Sequence, residues 1–445
     1  VKPSTYFLRT FGCQMNDHDA ERIRAAMEDR GYRRVSRPED ADVLVYNTCT
    51  VRASADQRLA GHLGAAARIK RQDPRRVVVL TGCLPQAEQA AVFTRFPFVD
   101  IALGPQNLHR MLLAVEQARE GGLAKGGEPR GFFEDGPLLS GSLPARRERP
   151  FQAWVQVMSG CTNFCTYCIV PYVRGPERSR PADEILTELR ALVADGVREV
   201  TFLGQNVNAY GRDLRGSQKS GTTRTFAGLL RMADAVGGLD RIRFLTSHPK
   251  DLGDEMIAAM AQAPAVCEHL HLPAQSGSNA VLERMRRGYS AQTYLRLLDK
   301  VRAALPDVAI TTDLIVGFPG ETEADFVATL ELVERARFDA AFTFMYSPRR
   351  GTDAATMPDQ IPEDIRRERV RRLIARTQTI GRERRSRFVG RRLEVLVEGA
   401  SRDGGGLRGR TRHNVTVNFG GRAAPGQLVE VAITAATSTT LRGTV

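Results

Sequence analysis

Short, β-rich apolar runs alternate with helix-like stretches along most of this chain, and that alternation confines it to parallel α/β architecture. In the first third the runs are Tyr6–Phe11, Val43–Tyr46 and Val77–Leu80, with helical patterns at Asp19–Arg30 and Ala53–Arg71. Strands buried on both faces carry such unbroken runs, so an open, doubly wound parallel sheet is expected here. The alternation resumes at Phe151. Strands are expected at Ala153–Met158, Glu199–Leu203, Arg241–Leu245, His269–Leu272, Ala309–Val316 and Ala340–Met345. Helices between them are expected at Asp183–Ala194, Ala227–Val236, Leu252–Ala261, Ala291–Ala304 and Glu323–Ala336. About six repeats make an open (β/α)6 barrel rather than a complete eightfold one. The tail differs: its runs Leu393–Glu398, Asn414–Phe419, Leu428–Ile433 and Thr437–Arg442, set among glycine-rich turns, suit a small five-stranded, OB-like all-β barrel. A Gly-, Pro- and charge-rich stretch around 119–150 reads as a linker. The expected domains are therefore 1–120, a linker 121–147, 148–376 and 378–445.

Composition narrows the function. At 445 residues and 42% hydrophobic content, the chain has core enough to fold without staples. It contains no run of about eighteen uncharged apolar residues, and Val1-Lys-Pro-Ser-Thr5 leads straight into a strand-like segment. Neither a membrane span nor a signal peptide is expected. Seven cysteines, an odd number in a long chain, argue against a disulfide scaffold and for a reducing cytoplasm. Sixty-four Lys and Arg against 51 Asp and Glu leave a net charge of +13. That excess fits an anionic partner, most simply nucleic acid, although the Arg-favouring codons of a high-GC genome would produce it too. Its position is informative: Arg366 to Arg387 reads as one basic helix, which leads into a tail carrying Arg408, Arg410 and Arg412.

The cysteines carry the chemistry. Cys161, Cys165 and Cys168 stand at C-x3-C-x2-C spacing. Soft thiolates suit iron, and three of them can hold three irons of a cubane 4Fe-4S cluster, leaving the fourth iron open to another ligand. A structural zinc site normally closes with four ligands, and no further Cys or His follows within twenty residues of Cys168. A second trio, Cys13, Cys49 and Cys83, is dispersed, yet each member follows an expected strand. In a parallel sheet those strand ends open onto one crevice, so three thiols could meet there and hold a second cluster. Gly12 and Gly82 beside them would permit tight turns with room for a bulky inorganic group. Scattered buried thiols acting as small hydrophobes would leave the same pattern. Cys267 has no cysteine partner nearby and reads as structural.

Several segments together resemble the methylthiotransferases of the radical S-adenosylmethionine (SAM) superfamily. They are Thr10-Phe-Gly-Cys-Gln-Met-Asn16, Tyr46-Asn-Thr-Cys-Thr-Val-Arg52, the run from Cys161 to Arg180, Gly204-Gln-Asn-Val-Asn-Ala-Tyr210, Thr246-Ser-His-Pro-Lys250, His271-Leu-Pro-Ala-Gln-Ser-Gly-Ser278 and Thr312-Asp-Leu-Ile-Val-Gly-Phe-Pro-Gly-Glu-Thr322. The resemblance spans essentially the whole chain and implies an N-terminal three-cysteine domain, a radical SAM barrel and a C-terminal TRAM domain. It implies two 4Fe-4S clusters. The one on Cys161, Cys165 and Cys168 would chelate SAM through its open iron and cleave it to methionine and a 5′-deoxyadenosyl radical. The one on Cys13, Cys49 and Cys83 would deliver a sulfur methylated by a second SAM. The expected product is the 2-methylthio form of N6-isopentenyladenosine at position 37 of tRNA. Threonylcarbamoyl-adenosine at the same position, or an aspartate of a ribosomal protein, are alternative substrates within the family. A non-enzymatic iron–sulfur RNA-binding protein is the alternative outside it.

By the same resemblance Tyr167 would lie near the SAM adenine, Gly204, Gln205 and Asn206 near its amino group, Gln275 and Ser276 near its ribose or carboxylate, and Asp313 and Ile315 near the adenine. All but Tyr167 sit on or after barrel strands, where such folds keep active sites. His248, His269 and His271 read as hydrogen-bonded residues of the barrel mouth, with metal ligation or acid–base work as the alternative. The expected partners are the tRNA anticodon loop, whose single-stranded bases splay outward readily, and an electron donor such as a flavodoxin or ferredoxin. The chain is expected to act as a monomer, off the membrane, with the tail arginines on the RNA backbone.

Overall fold

The first apolar run becomes β1 (Thr5–Thr10) in the computed structural model, which describes residues 4–50, 53–120, 128–134, 145–214, 224–401 and 404–445, with backbone alone for 53–58. There follow α1 (Gln14–Asp29), β2 (Arg33–Arg34), β3 (Val43–Thr48), α2 (Ala53–Gln72), β4 (Val77–Gly82), α3 (Cys83–Glu88), α4 (Ala91–Arg95), β5 (Ile101–Leu103), α5 (Met111–Glu120) and β6 (Arg130–Phe132). The strands form one parallel sheet in the order β2-β1-β3-β4-β5-β6. Because side chains alternate along each strand, the runs feed two cores. Tyr6, Leu8, Val43, Val45, Val77 and Val79 pack with Ile23, Met27, Met111 and Val115 on one face. Phe7, Leu44, Tyr46, Val78 and Leu80 pack with Leu63 and Ala66 on the other. This is the doubly wound sheet expected, with its strand order reversing between β1 and β3.

Two details differ from expectation. Helix α1 begins at Gln14 rather than Asp19, because its polar first turn carries no apolar stripe. β6 lies within the stretch read as linker: Arg130, Gly131 and Phe132 pair with Ile101, Ala102 and Leu103, and three residues are too few to show a period. Of that stretch, 121–127 and 135–144 lie outside the described residues.

By its packing the chain forms two units. The first comprises Val1–Glu148, Gln156–Thr162 and Cys168–Arg180, and the second Arg149–Val155, Asn163–Tyr167 and Pro181–Val445. Beyond β7 (Gln152–Gln156), the first unit takes in β8 (Met158–Ser159), α6 (Val170–Arg174) and β9 (Arg178–Ser179). β8 and β9 pair antiparallel.

The second unit continues with α7 (Ala182–Ala194), β10 (Glu199–Leu203), α8 (Phe226–Asp234), β11 (Arg241–Phe244), α9 (Asp254–Gln262), β12 (His269–His271), α10 (Asn279–Arg284), α11 (Ala291–Ala304), β13 (Ala309–Val316), α12 (Glu323–Ala336) and β14 (Ala340–Met345). Two three-stranded sheets result, β11-β10-β7 and β12-β13-β14. A parallel bridge between Ile242 and Val266 joins them, with Cys267 N–H donating to Ile242 O at 3.0 Å. This is the open six-stranded barrel expected from the alternation. Along β13, Thr312, Leu314 and Val316 are buried, whereas Thr311, Asp313 and Ile315 are only half-buried on the opposite face.

Helix α13 (Glu363–Ser386) leads into a closed barrel of β15 (Arg392–Ala400), β16 (Leu407–Thr411), β17 (Thr416–Gly420), β18 (Leu428–Ala436) and β19 (Thr440–Thr444), in the order β15-β16-β17-β19-β18. Val395, Val397, Val417, Phe419, Val431, Ile433 and Leu441 fill it. β16 supplies the fifth strand that the sequence did not locate: Leu-Arg-Gly-Arg-Thr has a single apolar side chain. Among the described residues, no helix is long and apolar enough to cross a membrane.

Buried arginines of β11 fasten this small barrel to the larger one. Arg241, with 0% exposure, donates to Glu394 Oε1 at 2.8 Å and to Arg410 O at 2.6 Å. Arg243 donates to Glu199 Oε2 at 2.9 Å and to the carbonyls of Thr411 and Arg412, both at 2.8 Å. In return, Arg412 pairs with Glu268 at 2.7 Å. Removing Arg241 leaves the Arg410 carbonyl and the 36%-exposed Glu394 carboxylate without their donor, at a cost of about 1–3 kcal/mol for a buried group left unpaired. Arg241→Ala is therefore expected to lower stability by that order, read as a drop in the urea midpoint of the full chain.

Candidate active site

The three dispersed cysteines stand at the carboxyl ends of β1, β3 and β4, around the point where strand order reverses, the usual place for a ligand in such sheets. Cys13 caps α1, Cys49 follows β3, and Cys83 opens α3. Backbone geometry brings them together. Gly12 and Gly82 have φ of +129° and +100°, a region that side chains rarely adopt. A Cβ on Gly12 would lie 2.4 Å from Cys49 Cβ, and one on Gly82 would lie 2.2 Å from Thr48 O. The glycines thus let neighbouring strand ends touch, rather than leaving a void as their sequence context suggested.

A buried asparagine pair braces the same loops. Asn16 Nδ2 donates to Asn47 Oδ1 at 2.9 Å and to Thr48 O at 3.0 Å, and Asn47 Nδ2 donates back to Asn16 O at 2.8 Å. Thr48 Oγ1 donates to Thr81 O at 2.8 Å, tying β3 to β4. The hydrogen bond with Cys49, helped by Arg174 and by backbone N–H groups, brings the Cys13 thiol down to about 6 against the opposing effect of burial. Burial pushes Cys83 up, with Arg174 acting against it. Arg174 itself is buried, which opposes its charge. Cys83, Asp19 and Cys13 around it hold its protonated form well above the ordinary range.

Among the described residues, no three His, Cys, Asp or Glu side chains are placed to share one metal ion. The irons of a cubane cluster take one protein thiolate each. Three thiols on braced loops, one already biased to thiolate and with a cation beside them, fit such a cluster.

Of the C-x3-C-x2-C segment, Cys161 and Cys168 belong to the first unit and Cys165 to the second. Cys161 is buried, its N–H donating to Gly175 O at 3.1 Å, and Cys168 is half-buried. In the second unit Cys165 is buried with Arg287 Nη1 3.5 Å from its sulfur. The same nitrogen lies 3.4 Å from the Tyr167 hydroxyl, while Nε donates to Tyr289 Oη at 2.9 Å and Nη2 to Pro273 O at 3.0 Å. Tyr167 packs against Val281, Met285, Phe318 and Tyr346.

At the carboxyl ends of β10, β11 and β12, four buried polar atoms have no partner among the described residues: Asn206 Oδ1, Ser247 Oγ, His248 Nε2 and Gln275 Oε1. The loops that carry them are rigidly held. Asn206 Nδ2 donates to Asp251 at 2.7 Å, and Asn208 exchanges two hydrogen bonds with the His248 backbone at 2.8 and 2.9 Å. His248 Nδ1 accepts from Lys250 N–H at 3.2 Å, so the ring proton sits on Nε2 and is an unused donor. Burial, aided by Arg287, Lys250 and Arg212, drives this histidine down to about 2, so it stays neutral. Thr246 and Gln275 hold φ of +69° and +67°, and such strain in non-glycine residues gathers at ligand sites. Orphaned acceptors beside an unused donor fit a small molecule bearing amino, hydroxyl and carboxylate groups, as SAM does.

Other residues named from sequence fall as follows. Gly204 and Gln205 follow β10 directly. The Ser276 hydroxyl is engaged within the fold, 3.3 Å from Thr329 Oγ1 and accepting from Ser278 N–H at 3.1 Å. Asp313 and Ile315 share the half-buried face of β13. On that face the Thr311 hydroxyl lies 3.0 Å from both His269 Nε2 and His271 Nδ1, and His271 Nε2 lies 3.6 Å from Asp313. Cys267 is buried beside Arg243, its N–H donating to Ile242 O, and burial raises its thiol. Asn16, Asn47, Arg174, Arg287, Ser247 and Thr311 were not singled out from sequence. Only their place within or beside the quoted segments could have drawn notice.

The basic segments have other partners. On α13, Arg369 pairs with buried Glu321 at 2.9 Å, Arg372 with Glu323 at 2.8 Å, and Arg376 with Glu334. Arg384 pairs with Asp339. In the small barrel, buried Glu398 takes Arg408 at 3.3 Å and Arg410 at 3.0 Å. Arg392, Arg422 and Arg442 are exposed and make no ion pair among the described residues. Among the barrel's described residues these three, rather than Arg408, Arg410 and Arg412, are cations without an ion-pair partner.

Three family models match the chain: the radical SAM superfamily over residues 155–333, an uncharacterized protein family designated UPF0004 over 5–104, and the TRAM domain over 386–445. The chain is 48% identical to the tRNA-2-methylthio-N(6)-dimethylallyladenosine synthase of Acidothermus cellulolyticus, over 98% of this chain and 86% of that one. It is 46% identical to the enzyme of the same name from Moorella thermoacetica, over 99% of this chain and 98% of that one. Among solved structures, the radical SAM methyltransferase TsrM from Kitasatospora setae matches with a TM-score of 0.56 at 15% identity, covering 79% of this chain and 75% of that one. That likeness speaks to the fold.

Proposed function

The chain belongs to the family of tRNA-2-methylthio-N(6)-dimethylallyladenosine synthases, and from that premise we propose that it adds a methylthio group to C2 of N6-isopentenyladenosine at position 37 of tRNA. The observation that carries this reading is identity of 48% across 98% of the chain to a relative of that name.

In this proposal Cys161, Cys165 and Cys168 hold one 4Fe-4S cluster, and Cys13, Cys49 and Cys83 hold another. When bound, the clusters and SAM supply radical hydrogen abstraction and sulfur, chemistry that belongs to the cofactors. The protein's own groups bind and orient. Asn206 Oδ1 and Gln275 Oε1 are acceptors for an amino or hydroxyl group, and the neutral His248 Nε2–H is a donor for a carboxylate or ether oxygen. Ser247 can play either part. Gly204, Gln205 and Tyr167 complete the SAM site, with Asp313 and Ile315 on the β13 face. Ser276 fixes the loop that presents Gln275. Pairing these groups with a ligand offsets what their burial costs, about 1–3 kcal/mol for each unsatisfied group. An electron donor such as a flavodoxin or ferredoxin, and action as a monomer, complete the reading.

Nucleoside mass spectrometry tests it. Transfer RNA from a strain lacking the gene should carry N6-isopentenyladenosine without the methylthio group, and the chain should restore it. Restoration on threonylcarbamoyl-adenosine alone would reject the assignment.

Backbone-led RNA binding makes a separate prediction. Arg442→Ala should weaken tRNA affinity and lower the slope of log Kd against log salt by about 0.7–0.9 for each phosphate it no longer neutralises. Arg412→Ala should leave that slope unchanged and show its effect in stability instead. Filter binding across a salt series distinguishes the two.

A further inference from the structure

Arg174 ends α6 and is only 5% exposed. Its guanidinium pairs with Asp19 at 3.4 Å, and its charge and the thiols of Cys83 and Cys13 favour one another's ionised forms. The placement is built in. Ile169 and Val173 pack on Cys83, and Gln106 Nε2 donates to Arg174 O at 3.2 Å. Asp19, itself buried, is the one carboxylate paired with this cation among the described residues.

A guanidinium does not lose its proton in a protein. Taking it out of water is costly, and a lone buried ion pair seldom repays that cost in stability. A fixed buried cation against two of three convergent thiols has a clearer electrostatic use. Three thiolates around a 4Fe-4S core leave the assembly negative, and a one-electron reduction makes it more so. Charge nearby and hydrogen bonds to sulfur are the main levers on the potential of such clusters.

We propose that Arg174 is a positioning residue for the second cluster: a permanent counter-charge, aimed by Asp19, that steadies the Cys13 and Cys83 thiolates and raises the cluster's reduction potential. This rests on the reading that Cys13, Cys49 and Cys83 hold a cluster.

The test uses the full chain with Cys161, Cys165 and Cys168 all changed to Ala, reconstituted with iron and sulfide, so that any remaining cluster is the second one. An EPR-monitored redox titration reads its midpoint. Arg174→Gln should move the midpoint to more negative potential, and Arg174→Lys, which keeps the charge, should restore most of it. Asp19→Asn removes the neighbouring anion and should move the midpoint the opposite way. Equal shifts in the Gln and Lys variants, or none in either, would overturn the proposal. So would a midpoint indifferent to Asp19→Asn, a variant that tests the site even if Arg174→Gln folds poorly. Iron bound at an unchanged potential refutes the role of Arg174 alone. A parent protein that binds no iron refutes the underlying reading and the proposal with it.

Discussion

Changing Cys49 to Ala is expected to stop methylthio transfer completely while leaving reductive SAM cleavage intact. Cys49 is 2% exposed and lies against Gly12 at the end of β3. Removing its sulfur deprives a cluster of one of three anchors, yet the loop persists: the Asn16–Asn47 pair and the Thr48–Thr81 bond hold it independently. The groups that fit SAM stand at the ends of β10, β11 and β12 in the second unit and make no use of Cys49. With SAM, dithionite and substrate tRNA, the variant should release 5′-deoxyadenosine and yield no methylthio nucleoside. Transfer that survives would show that Cys13, Cys49 and Cys83 do not hold the sulfur-delivering group.

Changing Cys161 to Ala should have the complementary and more severe result, with SAM cleavage itself falling to background. Three thiolates secure three irons and leave one for SAM, so losing an anchor removes the reactive centre. The other five cysteines of the two trios remain, and a cluster on Cys13, Cys49 and Cys83 should still contribute iron. Chromatography of 5′-deoxyadenosine from the reduced, reconstituted variant gives the answer. Cleavage near the parent rate would exclude Cys161 as a ligand.

Much of this organisation could be read from the residues. The strands Glu199–Leu203, Ala309–Val316 and Ala340–Met345 coincide with β10, β13 and β14, because each is a short run rich in β-branched and aromatic residues between helical stretches, whether buried throughout as β10 or only in part as β13 and β14. The three cysteines that each follow such a run do stand at the ends of adjacent strands, β1, β3 and β4. What stayed hidden depends on partners far away in sequence. Arg241 meets Glu394 across 153 positions, and Arg412 meets Glu268 across 144. A count of arginines cannot separate charges committed to such pairs from those left for RNA. Arg408, Arg410 and Arg412, singled out from sequence, are ion-paired within the fold, while Arg392, Arg422 and Arg442, without an ion pair among the described residues, went unremarked. β16 and β6 escaped notice for a simpler reason, having too few apolar residues to show a period. The orphaned atoms of Asn206, Ser247, His248 and Gln275 exist only once three strand ends are packed, so no local pattern announces them.

Two separate three-thiol sites are the centre of this account, and iron analysis tests them most directly. The full chain is reconstituted in three forms: native, with Cys161, Cys165 and Cys168 changed to Ala, and with Cys13, Cys49 and Cys83 changed to Ala. Each triple variant should retain about half the native iron and acid-labile sulfide, with a 4Fe-4S Mössbauer signature, as independent clusters on separate ligands require. If the native protein binds iron but either variant keeps all of it, or the variant lacking Cys161, Cys165 and Cys168 keeps none, the two-site account is contradicted.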